Sequence, residues 1–124
     1  MKTAELEGAV LDFWVARALG YASRDDVPSS LTGEWASNGF KNEWHPSEDW
    51  SQGGPIIERE GIGFWRGYDS ESRGKKVMWE ADAGSPVNAI EISGPDGEGP
   101  TPLIAAMRAL VLIKFGKEVP DSAV

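Results

Sequence analysis

The composition of this 124-residue chain excludes several classes of protein. It contains no Cys, which removes disulfides, thiolate zinc sites and cysteine nucleophiles. Its 20 acidic side chains against 12 Lys and Arg give a formal charge of −8 and a pI near 4.6, so binding to nucleic acid through the phosphate backbone is unfavourable. A chain of this length suits a single domain, residues 1–124, and we expect the tail after about residue 118 to fray.

The first residues do not have the pattern of a secretory signal. Glu5 and Glu7 stand where such a signal carries basic residues followed by an apolar run. No apolar stretch approaches the roughly 20 residues that a membrane-spanning helix needs. We therefore expect a soluble, cytoplasmic protein without membrane contact. The six Trp are more than ordinary usage predicts, and Trp supplies both buried area and a flat stacking surface.

Residues 4–19 are predicted to form an amphipathic helix. Thr3 is a suitable N-cap, and Gly20 can end the helix in the left-handed conformation. Asp12 lies opposite the apolar positions and is predicted to face solvent. The apolar positions that follow helical spacing are Leu6, Ala9, Val10, Phe13 and Ala16. Residues 21–43 lose this pattern and predict either a surface loop held by its aromatic residues or a lid in which Trp35 or Phe40 closes over a pocket.

The stretch 44–62 contains two Trp, the only His and a Gly-Gly-Pro sequence. Ser47 is a favoured N-cap, and Glu48 and Asp49 follow it where carboxylates stabilise the first turn. Gly is costly inside a helix, and Pro55 can begin a new turn. The pattern predicts a broken or kinked helix over 48–60 that ends at Gly61, with a strand over 55–58 as the alternative.

Three segments alternate apolar and polar residues and predict strands at 62–68, 77–82 and 87–93. In the first, Phe64 lies opposite Trp65; in the second, Trp79 lies opposite Glu80. We expect residues 69–76 to form a polar hairpin connection and residues 94–99 to form a turn-rich loop. These segments predict a small antiparallel meander.

The clearest predicted helix covers residues 103–115. Thr101 caps it, Pro102 occupies its first position and Gly116 ends it. Because this helix is apolar around most of its circumference, we expect it to lie between the sheet and another helix. The predicted fold class is α+β: an antiparallel sheet of about three strands, packed with N-terminal and C-terminal helices and a broken central helix.

The sequence carries no pattern that indicates catalysis. His45, near Glu43, Glu48 and Asp49, is the one candidate for an acid/base or metal site. A single imidazole without a second nitrogen or sulfur ligand is weak for a metal, and no Ser, Thr or Lys is marked as its nucleophile partner. The Gly-rich segment 94–101 lacks the Lys-Ser/Thr ending of a phosphate-binding loop, so a turn followed by the Thr101 cap is the simpler interpretation. We expect a protein without a metal, a cofactor or catalytic residues, and we find no signal for an oligomeric state.

A ligand site lined by tryptophans is the remaining hypothesis for a small-molecule partner. If the broken helix faces the sheet, the rings could stack on a planar ligand while Arg108 or a helix N-terminus meets its anionic part. The candidate ligand-binding residues are Trp44, Asp49, Trp50, Arg59, Trp65, Trp79, Thr101 and Arg108. The alternative is that the tryptophans fill the core or its rim. A third possibility is a protein partner; imitation of DNA is the weakest form of it, because the carboxylates are spread along the chain.

Three blocks of the sequence resemble one family. They are Thr-Ala-Glu-Leu-Glu-Gly at 3–8 with Ala16-x-Ala18-x-Gly20, Pro-Ser-x-Asp-Trp-x-Gln-Gly-Gly-Pro-Ile-Ile-Glu-Arg-Glu at 46–60, and Gly-Pro-Thr-Pro-Leu-Ile-Ala-Ala-Met-Arg at 99–108. The chain resembles the NinX-like proteins of phages and prophages. This resemblance implies a small α-β-α sandwich domain, encoded by an accessory phage gene and acting in the host cytoplasm, but no particular activity. In that context, the two specific alternatives are sequestration of a nucleotide or second messenger used in host defence, and inhibition of a host enzyme.

Overall fold

The computed structural model describes residues 1–22, 44–68, 77–83 and 97–120. Within these residues the fold is α+β, as predicted, with three α-helices and a three-stranded antiparallel sheet of order β1-β2-β3. The helices are α1 (Gly8–Ala18), α2 (Trp50–Glu60) and α3 (Pro102–Phe115), and the strands are β1 (Gly63–Tyr68), β2 (Val77–Asp82) and β3 (Gly97–Gly99). The predicted strand at 87–93 and nearly all of the predicted loop at 21–43 lie outside the described residues.

The N-terminal segment differs from the single helix predicted over 4–19. A 3-10 turn, Thr3–Glu5, precedes α1, which begins at Gly8. Thr3 is not the cap of a helix: its buried hydroxyl donates to the carbonyl of Gly116 at 2.7 Å. Backbone bonds from Thr3 to Lys117 and from Val119 to Met1 complete a terminal ribbon, residues 1–3 paired with 117–119. A partner so distant in sequence leaves no local signal.

The solvent-facing position predicted for Asp12 is wrong, because the side chain is only 1% exposed. Its Oδ1 accepts a hydrogen bond from the backbone N–H of Ser47 at 3.0 Å, which ties α1 to the segment before α2. The N-cap of α2 is Asp49 and not Ser47. The Asp49 carboxylate accepts from the N–H and the hydroxyl of Ser51, at 2.9 and 2.7 Å.

Helix α2 continues through the Gly-Gly-Pro sequence at which a break was predicted, and it ends at Gly61 in the left-handed conformation, as predicted. Close packing explains one of the glycines. A Cβ on Gly53 would lie 2.4 Å from the carbonyl oxygen of Pro46 and 2.6 Å from Cδ2 of Leu103. The residue that looks like a helix breaker therefore allows α2 to pack closely on its neighbours.

The sheet confirms the predicted strands β1 and β2, whose register pairs Phe64 with Ala81 and Trp65 with Glu80. Its third strand, β3, lies in the segment that we predicted to be a turn-rich loop. A Cβ on Gly97 would lie 2.3 Å from the carbonyl oxygen of Ala105, so glycine is needed where this strand meets α3. Glycine allows close backbone packing here, although a glycine-rich segment is equally typical of a turn.

Helix α3 is the centre of the fold, as its apolar circumference predicted. Thr101 caps it by accepting from the N–H of Ile104 at 3.1 Å, and Pro102 is its first residue. The helix packs mainly against β3 and β2 and also contacts α1 and α2. Its buried face shares one hydrophobic core with Leu11 and Trp14 of α1. Helix α3 thus lies between the sheet and α1.

Candidate functional site

Three rings form a continuous row from the sheet to α2, which we call the aromatic row: Trp79, Phe64 and Trp50. The Phe64 centroid lies 6.1 Å from that of Trp79 on β2 and 5.9 Å from that of Trp50 on α2. Trp79 is partly buried, whereas Phe64 is 37% exposed and Trp50 is 50% exposed. Because α3 covers β3 and β2 more than β1, the row emerges from the core at the β1 side.

A cation lies on the same face of the sheet as the row. Arg66 is the cross-strand neighbour of Trp79 and stands two residues from Phe64, so the alternation of a strand places all three on one face. Arg66 is exposed. The aromatic row and Arg66 therefore offer ring surfaces for stacking or apolar contact, with one positive charge beside them.

The structure does not bring the four predicted tryptophans into one pocket. Trp44 is fully buried and belongs to the core. Trp65 points to the opposite face of the sheet, where its Nε1 donates to the carboxylate of Glu80. Of the four, Trp50 and Trp79 belong to one group of rings, and Phe64 connects them.

Three of the predicted polar residues make hydrogen bonds within the fold. Asp49 and Thr101 cap α2 and α3. Arg108 donates from Nε to the carbonyl of Leu6 and from Nη1 to the carbonyl of Glu98, both at 2.8 Å. Burial lowers the pKa of Arg108 from its ordinary value, and the nearby Glu7 carboxylate acts in the opposite direction. Arg108 thus connects the N-terminal segment, α3 and β3.

The fourth predicted polar residue, Arg59, is exposed on α2. Its Nε lies 3.7 Å from the carboxylate of Glu60, and an exposed ion pair of this kind contributes little to folding stability. Sequence reasoning missed Phe64 and Arg66 as site residues. The alternation of β1 places Phe64 and Arg66 on one face, but only the register with β2 shows that Trp79 shares this face.

A buried polar cluster joins α1 to the segment before α2. Besides the bond between Asp12 and Ser47, the Oε1 of Gln52 accepts from the backbone N–H of His45 at 2.7 Å. In the described part of the chain, Ser47 Oγ and Gln52 Nε2 are buried without a hydrogen-bond partner. Over the same residues, no group of three or more His, Asp or Glu side chains is placed to hold a metal ion.

A separate surface groove of about 360 Å³ lies at the terminal ribbon. Ala4 and Leu112 contribute apolar surface to it, and the remaining lining residues are Lys2, Lys117 and Glu118. None of the predicted site residues lines this groove. It is therefore distinct from the aromatic row.

The sequence matches the family described as Bacteriophage P22, NinX over residues 2–114. The chain belongs to this NinX family. The match covers every described helix and strand except the last residue of α3, so the aromatic row and all predicted site residues lie within it. NinX membership confirms the resemblance of the three sequence blocks and identifies a phage-encoded protein. No curated protein matches the chain. Among the described residues, none of the helices has the length and apolar character needed to cross a bilayer.

Proposed function

We propose that this NinX-family protein is a non-enzymatic binding module that contacts a host protein through the aromatic row. The observation that carries the proposal is the half-exposed Trp50, which packs on Phe64, itself more than a third exposed. Contiguous exposed apolar surface on a soluble domain marks contact sites. Trp and Arg are also the residue types most enriched among those that dominate binding energy.

Three of the predicted polar site residues have roles within the fold, which favours binding over catalysis. Asp49, Thr101 and Arg108 all make hydrogen bonds to backbone groups of the fold. Rings with one neighbouring guanidinium can hold a partner, but they supply neither a nucleophile nor a general base. The phage origin supports a host protein as the partner, because an accessory phage protein acts inside the host cell.

Substitution of the exposed rings tests the proposal. Tagged protein would be expressed in host cells, cross-linked and recovered, and the bound proteins identified by mass spectrometry. We expect Trp50→Ala and Phe64→Ala each to weaken binding of the principal partner by about 2 kcal/mol, roughly a 30-fold rise in Kd. Ile113→Ala is the matched control, since Ile113 is 39% exposed on α3 and lies outside the row. Partner recovery that is unchanged in a folded Trp50→Ala protein would refute the proposal.

A second candidate, sequestration of a nucleotide or second messenger, is favoured by Arg66 alone. A base could stack on the row while this guanidinium, on the same face as Phe64, meets a phosphate. Native mass spectrometry and thermal shift with nucleotides and cyclic nucleotides test it. The melting temperature should rise with ligand concentration, as mass action requires, and Arg66→Gln should abolish the rise. A flat response at millimolar nucleotide would leave the protein partner as the proposal.

A further inference from the structure

Strand β1 has an open edge in the described part of the chain. Its strand neighbour there is β2, so the backbone groups on the other side of β1 pair with no described strand. Proteins usually protect such an edge with a very short strand, a charged side chain, a Pro or a bulge. The six residues of β1, Gly-Phe-Trp-Arg-Gly-Tyr, include one charged side chain, Arg66, but neither Lys nor Pro, and their register with β2 is regular. The edge can therefore accept a further strand that accommodates this guanidinium.

The inner face beside this edge carries exposed rings and the guanidinium of Arg66. The aromatic row crosses β1 at Phe64 and continues to Trp50, both of which are exposed. A strand added to β1 would lie about 4.8 Å from it and would place every second side chain on this face. Those side chains would contact the exposed rings and Arg66, so the inner positions of the added strand should be apolar, with an aromatic ring suited to the position beside Arg66.

The outer face beside the same edge is acidic. A Cβ on Gly67 would lie 2.5 Å from Cδ of Glu80, so the Glu80 carboxylate extends from β2 over β1 at this glycine. The same carboxylate accepts from the indole of Trp65, which is 43% exposed. A Lys or Arg on an added strand could reach both the carboxylate and the face of the indole. The net charge of −8 favours a basic partner over longer distances.

We propose that the partner binds by strand addition: an extended segment with alternating apolar and basic residues pairs with β1. The apolar residues lie on the aromatic row, and the basic residues face Glu80 and Trp65. The inference rests on the proposed function as a protein-binding module and names its recognition mode. A strand pairs the open backbone groups of β1 and contacts both faces at once, which a helix lying on the row alone cannot do.

Octapeptides provide a direct probe. The inner positions would be varied among Val, Ile, Leu, Phe and Tyr, the outer positions would be Lys or Arg, and the tightest binder would be measured by calorimetry. The matched control is the same peptide with N-methyl groups on the backbone amides that face β1. This change keeps the side chains but removes the N–H groups that would donate to β1. We expect N-methylation to weaken binding at least tenfold. In the complex, hydrogen exchange should slow at alternate amides of β1, those that point to the open edge.

Protein variants separate the two faces and the two levels of the proposal. Glu80→Gln keeps an acceptor for Trp65 but removes the charge, and should weaken the Lys and Arg peptides several-fold. Peptides with Glu at the outer positions should bind far more weakly, and equal binding would overturn the charge assignment. If N-methylated and parent peptides bind equally while Trp50→Ala weakens both, strand pairing is wrong and the aromatic contact surface stands. If no peptide binds at millimolar concentration, strand addition is refuted, and the cross-linking result decides the proposed function separately.

Discussion

Replacement of Arg108 by Met tests whether this residue stabilises the fold rather than meeting a ligand. The guanidinium donates to two carbonyls, those of Leu6 and Glu98, each at 2.8 Å. Leu6 is buried, so its carbonyl loses its partner in a site with little access to water, whereas Glu98 is exposed and water can replace the lost bond. Met preserves much of the side-chain length and its apolar packing. The change therefore isolates the hydrogen bonds and the charge.

The expected loss of stability is about 2–4 kcal/mol. A hydrogen bond from a charged donor contributes about 1.5–3 kcal/mol, and the exposed acceptor should count for less than the buried one. A loss of this size is a large part of the roughly 5–15 kcal/mol by which a domain is stable. With a urea m-value of about 2 kcal/mol/M, the unfolding midpoint should fall by about 1–2 M.

Urea unfolding followed by both tryptophan fluorescence and far-ultraviolet circular dichroism measures this loss. Arg59→Met is the matched control, because Arg59 is exposed and its contact with Glu60 is 3.7 Å; it should cost less than about 0.5 kcal/mol. Arg108→Lys should recover only part of the loss, since an ammonium cannot reproduce the planar fork that reaches both carbonyls. If Arg108→Met is as stable as Arg59→Met, the structural role is refuted.

Other substitutions test the packing and the caps by thermal unfolding. Gly97→Ala places a Cβ against the backbone of α3 and should destabilise the fold by about 1–3 kcal/mol. Gly54 has open space around it in α2, so Gly54→Ala should stabilise the fold by about 0.5–1 kcal/mol. The reverse order of stabilities would contradict the close packing of β3 on α3. Thr101→Ala removes the cap of α3 and should cost about 1 kcal/mol, with Thr101→Ser restoring it. Asp12→Ala leaves the buried N–H of Ser47 without its acceptor and should cost about 1–3 kcal/mol, while Asp12→Asn, which keeps an oxygen, should cost less.

The parts of the fold that follow from local physics could be predicted from the sequence. The cap of α3, its proline start and its apolar circumference are all encoded within sixteen consecutive residues, and the structure confirms them. Strands β1 and β2 follow from alternation within each segment. Gly61 ends α2 because the left-handed conformation is readily available to glycine.

The features that depend on distant partners could not be predicted in this way. Asp12 has the spacing of a solvent-facing residue, and only the position of Ser47, 35 residues later, makes its burial favourable. Gly97 lies in a segment with the composition of a turn, but its role depends on the α3 backbone against which it packs. The candidate site shows the same limit of sequence-based prediction. The stacking capacity of Trp predicted Trp50, whereas only the register of β1 and β2 identifies Phe64 and Arg66 as site residues.

The terminal ribbon determines how the molecule responds to mechanical force. Met1 pairs with Val119 and Thr3 with Lys117, so residues 1 and 119 lie at the same end of an antiparallel pair. Tension applied between residues 1 and 120 acts across these hydrogen bonds and breaks them one after another, beginning with those of Met1. The ribbon should therefore unzip at low force and transfer the load to the Thr3 hydroxyl, which holds the end of α3 at Gly116. The ribbon and this single hydrogen bond should therefore yield before the sheet is loaded.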